Sequence, residues 1–349
     1  MSLTTPTPPD ARLTRDHLAG LFVKMAARRI VVVGDAMLDL YLEGDADRIS
    51  PEAPVPVVAV RARRTALGGA ANVAANVAAI GAECRLVAVI GDDARGDSFR
   101  AELAQNRLLD QHIVVAAARP TTSKTRVTAR GQQVVRIDEE VEDPIPPRTE
   151  EQLAAKLQRA MADADALLIE DYNKGTLTPV VIELAMSLAR KRSVPTVVDP
   201  KFKNFFAYPG ATVFKPNRRE LEQAMGATLD LDRADALPTS LDKLGVDNLL
   251  LTLGAEGMVL FTKDKQVHRI PTMAREVFDV SGAGDTVTAW VGTALAAGAS
   301  VREAAQVANY AAGVEVGKLG VATVSPAELL AAHETRYDQL GKLRRGGLL

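Results

Sequence analysis

The run Phe278-Asp279-Val280-Ser281-Gly282-Ala283-Gly284-Asp285-Thr286 joins a glycine turn to a helical stretch that carries a carboxylate in its first turn. Small residues let a ligand approach the backbone, and the free N–H groups of a helix start favour an anion there. A carboxylate is a poor ligand for that anion, because two negative groups repel. It is well suited to take a proton from a hydroxyl that attacks a bound phosphoryl group. Gly282, Ala283 and Gly284 then form the anion pocket, Asp285 is the base, and the chemistry is phosphoryl transfer to an alcohol. A first-turn carboxylate that only complements the helix dipole is the plainer alternative.

Other clusters join polar residues to backbone turns. Gly34-Asp35-Ala36-Met37-Leu38-Asp39 follows an apolar run where a dinucleotide-binding protein would place Gly-x-Gly-x-x-Gly. The glycine triad is missing and the carboxylates would repel a pyrophosphate, which disfavours a nicotinamide oxidoreductase. Asp35 and Asp39 suit sugar hydroxyls, or else serve as turn and cap residues. Leu67-Gly68-Gly69-Ala70-Ala71-Asn72 opens a small-residue helix. There Gly68 and Gly69 permit close approach, and Asn72 offers donor and acceptor to a polyol. In Lys215-Pro216-Asn217-Arg218-Arg219-Glu220, Asn217 and Glu220 share a helical face. They could order water around a magnesium ion or form a capping box. Thr252-Leu253-Gly254-Ala255-Glu256-Gly257 is a hairpin turn or the wall of a nucleotide site, and Asp199-Pro200-Lys201 places a cation at the same edge.

These residues need a scaffold that brings them together. Short β-branched runs, Ile30 to Val33, Leu86 to Ile90, Ala166 to Ile169, Thr196 to Val198, Thr212 to Phe214 and Leu249 to Leu253, read as buried strands. Glu151 to Ala164, Val180 to Arg192 and Asp285 to Ala297, the last closed by Gly298, read as helices. The alternation predicts a mainly parallel sheet with helices on both faces. Polar residues follow six of the strands, so the predicted crevice lies beyond their C-terminal ends. Two segments break the rhythm. The prolines of Ser50-Pro51-Glu52-Ala53-Pro54-Val55-Pro56 suit extended edge strands. Ile113 to Ile137 alternates around a turn near Arg130-Gly131. Together they predict a small β-flap, or lid, whose exposed edges could pair in a homodimer.

Lys plus Arg (42) nearly balance Asp plus Glu (44) among 349 residues, so no basic field exists to hold nucleic acid. A single cysteine, Cys84, forms no intrachain disulfide, and the four histidines lack ligand spacing. No apolar run reaches the roughly 18 residues of a membrane span. The first ten residues lack a leader-like apolar core, and a cytoplasmic location is expected.

The stretches Gly68 to Asn72, Asp279 to Asp285 and Asn217 to Glu220 together resemble the carbohydrate kinases related to ribokinase. The resemblance implies a ribokinase-like three-layer α/β sandwich, one kinase domain over 1–349. Lid segments fall at 42–66 and 112–138, with peripheral termini at 1–25 and 340–349. It implies Asp285 as base, the Gly282 to Gly284 turn as anion hole, and Asp35, Asp39, Gly68, Gly69 and Asn72 at the sugar. Thr252, Gly254, Gly257 and Asn309 face ATP, with Asn217 and Glu220 organising Mg2+. Asp279 and the Gly320 to Thr323 segment correspond to a monovalent-cation site, with K+ as the candidate. Arg48-Ile49-Ser50-Pro51-Glu52-Ala53-Pro54-Val55-Pro56-Val57 narrows the resemblance to the bacterial D-glycero-β-D-manno-heptose 7-phosphate kinase branch, which serves ADP-heptose and lipopolysaccharide core synthesis. Relatives there carry a fused adenylyltransferase with a His-x-Gly-His motif. The chain lacks that motif, and a stand-alone kinase is expected. A phosphorylated sugar needs cations, for which Arg61, Arg63, Arg126, Arg136 and Lys201 are candidates. A fructose phosphate or ribose kinase, and a non-catalytic sugar or nucleotide sensor, are the alternatives.

Overall fold

The β-branched runs build a single twisted sheet because their side chains are apolar on both faces. The computed structural model describes residues 13–231, 238–274 and 277–334. In chain order the described elements are α1 (Arg15–Ala26), β1 (Arg29–Gly34), β2 (Ala36–Ile49), β3 (Pro56–Gly69), α2 (Ala70–Ile80), β4 (Glu83–Ile90), α3 (Ala94–Gln105), β5 (Ile113–Val115), β6 (Ser123–Ala129) and β7 (Gln132–Glu139). There follow α4 (Pro147–Ala160), β8 (Ala166–Glu170), α5 (Pro179–Arg192), β9 (Thr196–Asp199), β10 (Val213–Phe214), α6 (Arg218–Met225), α7 (Pro238–Leu244), β11 (Leu249–Thr252), β12 (Met258–Phe261), β13 (Val267–Ile270), α8 (Ala283–Ala296) and α9 (Val301–Glu315).

The main sheet has the order β13-β12-β11-β10-β9-β8-β1-β4-β5. Pairing is parallel from β11 through β5, and only the β11–β12 and β12–β13 pairs are antiparallel. Alternation along β1 divides the core: Ile30 and Val32 pack with α1, α2, α8 and α9, while Val31 and Val33 pack with α4 and α5 on the other face. The α/β three-layer prediction holds, and the six polar strand ends share one edge. Helix α8 lies close on β8, because a side chain at Gly292 would overlap Leu168. That approach ties the register of Asp285 to the end of β8.

A second, four-stranded sheet, β3-β2-β6-β7, forms the lid. Arg130 and Gly131 adopt φ 52° and 78° at its β6–β7 turn, as the left-handed hairpin type requires. Its limits differ from the expected 42–66 and 112–138. The first hairpin starts where β2 leaves the main sheet, pairing Ala36 with Gly69. Ile113 to Val115 instead pair with β4 on the main sheet, where Ile113 and Val114 are buried.

The expectation of a peripheral N-terminus also needs correction. Helix α1, capped by Thr14, buries Leu18, Leu21, Phe22 and Met25, and Phe22 meets Trp290 of α8 edge-on at 5.5 Å. Residues 1–12 and 340–349 lie outside the described residues. No helix among the described residues is long and apolar enough to cross a membrane.

Candidate active site

Helix α8 begins at a turn whose Gly282 has φ 95°, a left-handed conformation that side chains resist. The α8 amides of its first turn have no intrahelical acceptor, and they open toward the C-terminal edge of the sheet. Asp285 sits in that turn and is buried. Its Oδ2 accepts a hydrogen bond from Asn72 Nδ2 at 2.7 Å, and its Oδ1 accepts one from the Tyr172 hydroxyl at 2.8 Å. Burial pushes the Asp285 carboxyl up to about 6; the two hydrogen bonds and Lys215 oppose the rise, and Asp199 adds to it. A carboxyl so placed is ionised near neutrality yet basic enough to accept a proton.

Asn72 is itself held. It lies in the first turn of α2, which starts from Gly69 at φ 56°, and its Oδ1 accepts from Asn76 Nδ2 at 3.3 Å. Asn76 Oδ1 accepts from the Thr286 hydroxyl at 3.3 Å. The starts of α2 and α8 are thus cross-linked, and Asn72 spends its amide on the predicted base.

Behind Asp285 lies a buried ionic cluster at the ends of β8, β9 and β10. Carboxylate oxygens of Glu170, Asp199 and Asp285 all lie within 4.8 Å of one another. Lys215 donates to Asp199 Oδ2 at 2.6 Å. Burial pulls the Lys215 ammonium down, but Asp199 and Glu170 outweigh it and the net shift is upward. Glu170 is fully buried with neither oxygen hydrogen-bonded. Burial, reinforced by Asp199 and Asp285, raises its pKa well above the usual carboxylate range. One lysine among three carboxylates leaves room for a proton or a cation.

Beside the turn is a cavity of about 300 Å3 lined by Asn217, Thr252, Gly254, Gly257, Ala283, Gly284 and Asn309, among others. Five residues predicted to face a nucleotide therefore meet the glycine turn in one place. Glu220 does not line the cavity. It forms a reciprocal capping box with Asn217, each backbone N–H donating to the other side chain at 2.9 Å. Its second oxygen holds Lys201 at 2.5 Å.

The predicted sugar side divides. Asp39 is buried, pairs with Arg126, and stands where a side chain at Gly68 would meet it at 2.7 Å. Asp35 is a correction: its carboxylate accepts from the backbone amides of Tyr172, Lys174 and Thr176 at 2.9–3.0 Å. Three amides use up its oxygens, so Asp35 holds the loop after β8 and does not face a ligand. Among the cations, Arg61 pairs with Asp45 and Arg136 with Asp138 on exposed lid surface, and Arg63 is exposed. Lys201 belongs to the Glu220 side, its ammonium 5.4 Å from the centre of the Tyr172 ring. Arg126 alone of the five touches a buried predicted sugar residue. Arg64, not singled out from sequence, stacks 3.9 Å from the centre of the Tyr41 ring, with Arg126 5.4 Å from that centre. Asp279 caps its own turn, accepting from Ser281 N–H at 2.9 Å. Sequence reasoning also missed Glu170 and Tyr172. The available signal was Glu170-Asp171-Tyr172, polar groups that abruptly end a strand apolar on both faces.

A profile of the pfkB family carbohydrate kinases matches residues 27–328. The protein named bifunctional protein HldE from Trichlorobacter lovleyi is 44% identical over 322 residues, 92% of this chain and 66% of its own length. Its namesake from Azorhizobium caulinodans is 46% identical over 314 residues, 89% of this chain and 65% of that protein. The chain spans about two thirds of the length of these curated relatives. Among solved structures, Arabidopsis thaliana ribokinase complexed with ribose and ATP superposes with a TM-score of 0.69 at 21% identity, covering 88% of this chain and 98% of that one. Escherichia coli phosphofructokinase-2 in complex with potassium gives 0.72 at 18% identity, covering 88% and 99%. At these identities the likeness is one of fold.

Proposed function

The chain belongs to the pfkB family of carbohydrate kinases, and from that premise we propose that it transfers the γ-phosphoryl group of ATP to the anomeric hydroxyl of D-glycero-β-D-manno-heptose 7-phosphate. The observation that carries the reading is the buried Asp285 carboxyl, held by Asn72 and Tyr172 at the mouth of a helix N-terminus. The adjoining cavity of about 300 Å3 is lined by the expected nucleotide residues.

In this mechanism the sugar hydroxyl lies against Asp285 and attacks the γ-phosphorus in line. The new bond joins the anomeric oxygen to phosphorus, the bond to the β–γ bridging oxygen breaks, and ADP leaves. Asp285 takes the hydroxyl proton as that oxygen becomes bonded to phosphorus. The amides of the Gly282 to Gly284 turn and first helical turn meet charge as it develops on the transferred group. Lys215, 3.5 Å from where a side chain at Gly284 would stand, adds a fixed positive charge. Asn72 and Tyr172 orient the base and favour its ionised form. Arg126 and Arg64, clustered with Asp39 on the lid, are the cations best placed for the substrate's own phosphate. Closure of the lid would exclude water that otherwise hydrolyses ATP.

The donor set suits magnesium. Asn217 and Glu220 offer oxygens through water, with Asp199 close by, and the unpartnered Glu170 leaves carboxylate charge that Lys215 does not neutralise. When bound, Mg2+ offsets the charge of the nucleotide phosphates. Exposed Val134, Val135 and Ile137 on β7, with Ile49 and Val60 on the same lid, support pairing of two lids in a homodimer.

The test is ADP release with ATP and a panel of sugars and sugar phosphates, with products identified by mass spectrometry. Turnover is expected to be highest with the heptose 7-phosphate, giving the 1,7-bisphosphate. Preference for a fructose phosphate or ribose would move the specificity within the family. ATP binding without turnover on any sugar would favour the sensor reading.

A further inference from the structure

Glu315 ends helix α9, and neither the proposed base nor the nucleotide cavity uses it. Its side chain has no exposed surface, and neither carboxyl oxygen has a hydrogen-bond partner of good geometry. A buried carboxyl in that state demands either a proton or a matching cation. Nearby side chains do not supply the positive charge. The Lys318 ammonium is held by the Thr323 carbonyl at 2.7 Å and by Glu328 at 2.6 Å. The neighbours that matter are negative: burial, then Asp285 and Asp279, push Glu315 up to about 8, offset in part by the Ala322 amide.

The carboxyl has a defined place. A side chain at Gly282 would stand 3.3 Å from Glu315 Oε1 and 3.4 Å from Val321. The backbone before the turn runs alongside, with Phe278 N–H donating to the Val316 carbonyl at 2.8 Å. Glu315 therefore fills a seam between the 278–282 segment and the 320–323 segment, directly behind the glycine turn.

We propose that Glu315 supplies a formally charged ligand to a monovalent cation seated in this seam. The orphaned carboxyl is the feature that fits such an ion. A monovalent ion is favoured over a divalent one by the surroundings. Mg2+ sheds water reluctantly and needs room for its hydration shell, whereas Glu315 is enclosed by a glycine and Val321. A larger, weakly hydrated ion gives up its water to a carboxylate at lower cost. The ion would offset the field of Asp279, Glu315 and Asp285 behind the turn and hold the turn in shape. The inference rests on reading that turn as the phosphate-facing part of a kinase.

The experiment is thermal unfolding of the full chain, without sugar or nucleotide, titrated with KCl against tetramethylammonium chloride at constant ionic strength. Wild type is expected to show a saturable rise in Tm specific to K+. Glu315→Gln, which keeps the shape and loses the charge, should shift the K+ midpoint upward about tenfold, the scale of one lost charge-assisted contact. Glu315→Ala should shift it at least as far, and serves if the Gln variant folds poorly. Direct binding of thallium(I), a spectroscopic substitute for K+, should weaken in parallel. An unchanged K+ midpoint in both variants, or a wild-type Tm that responds equally to both salts, overturns the proposal. Stabilisation by ATP is measured separately for each protein. Its absence with the K+ response intact would count against the kinase reading and leave the cation site standing.

Discussion

Replacing Asp285 with asparagine separates the catalytic role of the carboxylate from its structural cost, and the two should move in opposite directions. Holding the carboxyl at about 6 instead of 3.8 means that the ionised form is disfavoured in the fold by about 3 kcal/mol. The raised pKa contributes stability that is fully present below 3.8 and is lost as pH rises through 6. Asparagine carries no such charge. It can still accept from one of Asn72 Nδ2 and the Tyr172 hydroxyl, but not from both, which costs about 1 kcal/mol. The variant should therefore be more stable than wild type by about 2 kcal/mol at pH 8, and less stable by about 1 kcal/mol near pH 4. Urea unfolding at several pH values reads the crossover, with m-values checked for constancy. Turnover should fall about 10²–10⁴-fold with nucleotide affinity kept. Wild-type kcat/KM should fall tenfold per pH unit below about 6, a limb the variant lacks. A stability difference that does not vary with pH, or turnover within tenfold of wild type, would refute the assignment of a desolvated base.

Three further perturbations test the surroundings. Tyr172→Phe removes a hydrogen bond that favours the ionised base, so the acid limb of the rate profile should move up by about half a pH unit or more, read from kcat/KM against pH. Lys215→Met leaves Asp199 and Glu170 buried without their cation and should cost about 3–5 kcal/mol in urea unfolding at pH 8. Much of that loss should return at low pH, where these raised carboxyls are protonated. Gly282→Ala forces a side chain into φ 95° and within 3.0 Å of Asn72 Nδ2. It should cost about 1–2 kcal/mol of stability and lower kcat more than it weakens ATP binding, measured by calorimetry beside steady-state kinetics.

Periodicity and punctuation suffice for much of this protein, because burial on two faces and backbone turns leave local marks. The runs Ile30 to Val33 and Ala166 to Ile169 are apolar on every side, and only a parallel sheet covered twice accommodates several such runs. Arg130-Gly131 marks its hairpin because few residues accept positive φ. The Gly282 to Asp285 turn is legible for the same reason, and so is the set of nucleotide-facing residues that follows the strand ends. The lid limits were less legible: Ile113 to Val115 alternates no differently from a lid strand, and its pairing with β4 is decided far away in sequence.

What the linear order of residues determined by itself is the fold class, the glycine turn and the identity of the candidate base, since each depends on neighbours a few positions apart. Only the tertiary structure decided what each polar group does with its lone pairs. Asp35 and Asp285 are both aspartates near a glycine. One spends its oxygens on three backbone amides, and the other is desolvated between Asn72 and Tyr172. Glu170, Lys215 and Glu315 acquire their character the same way, because burial and electrostatic fields depend on distances in space that sequence separation does not encode.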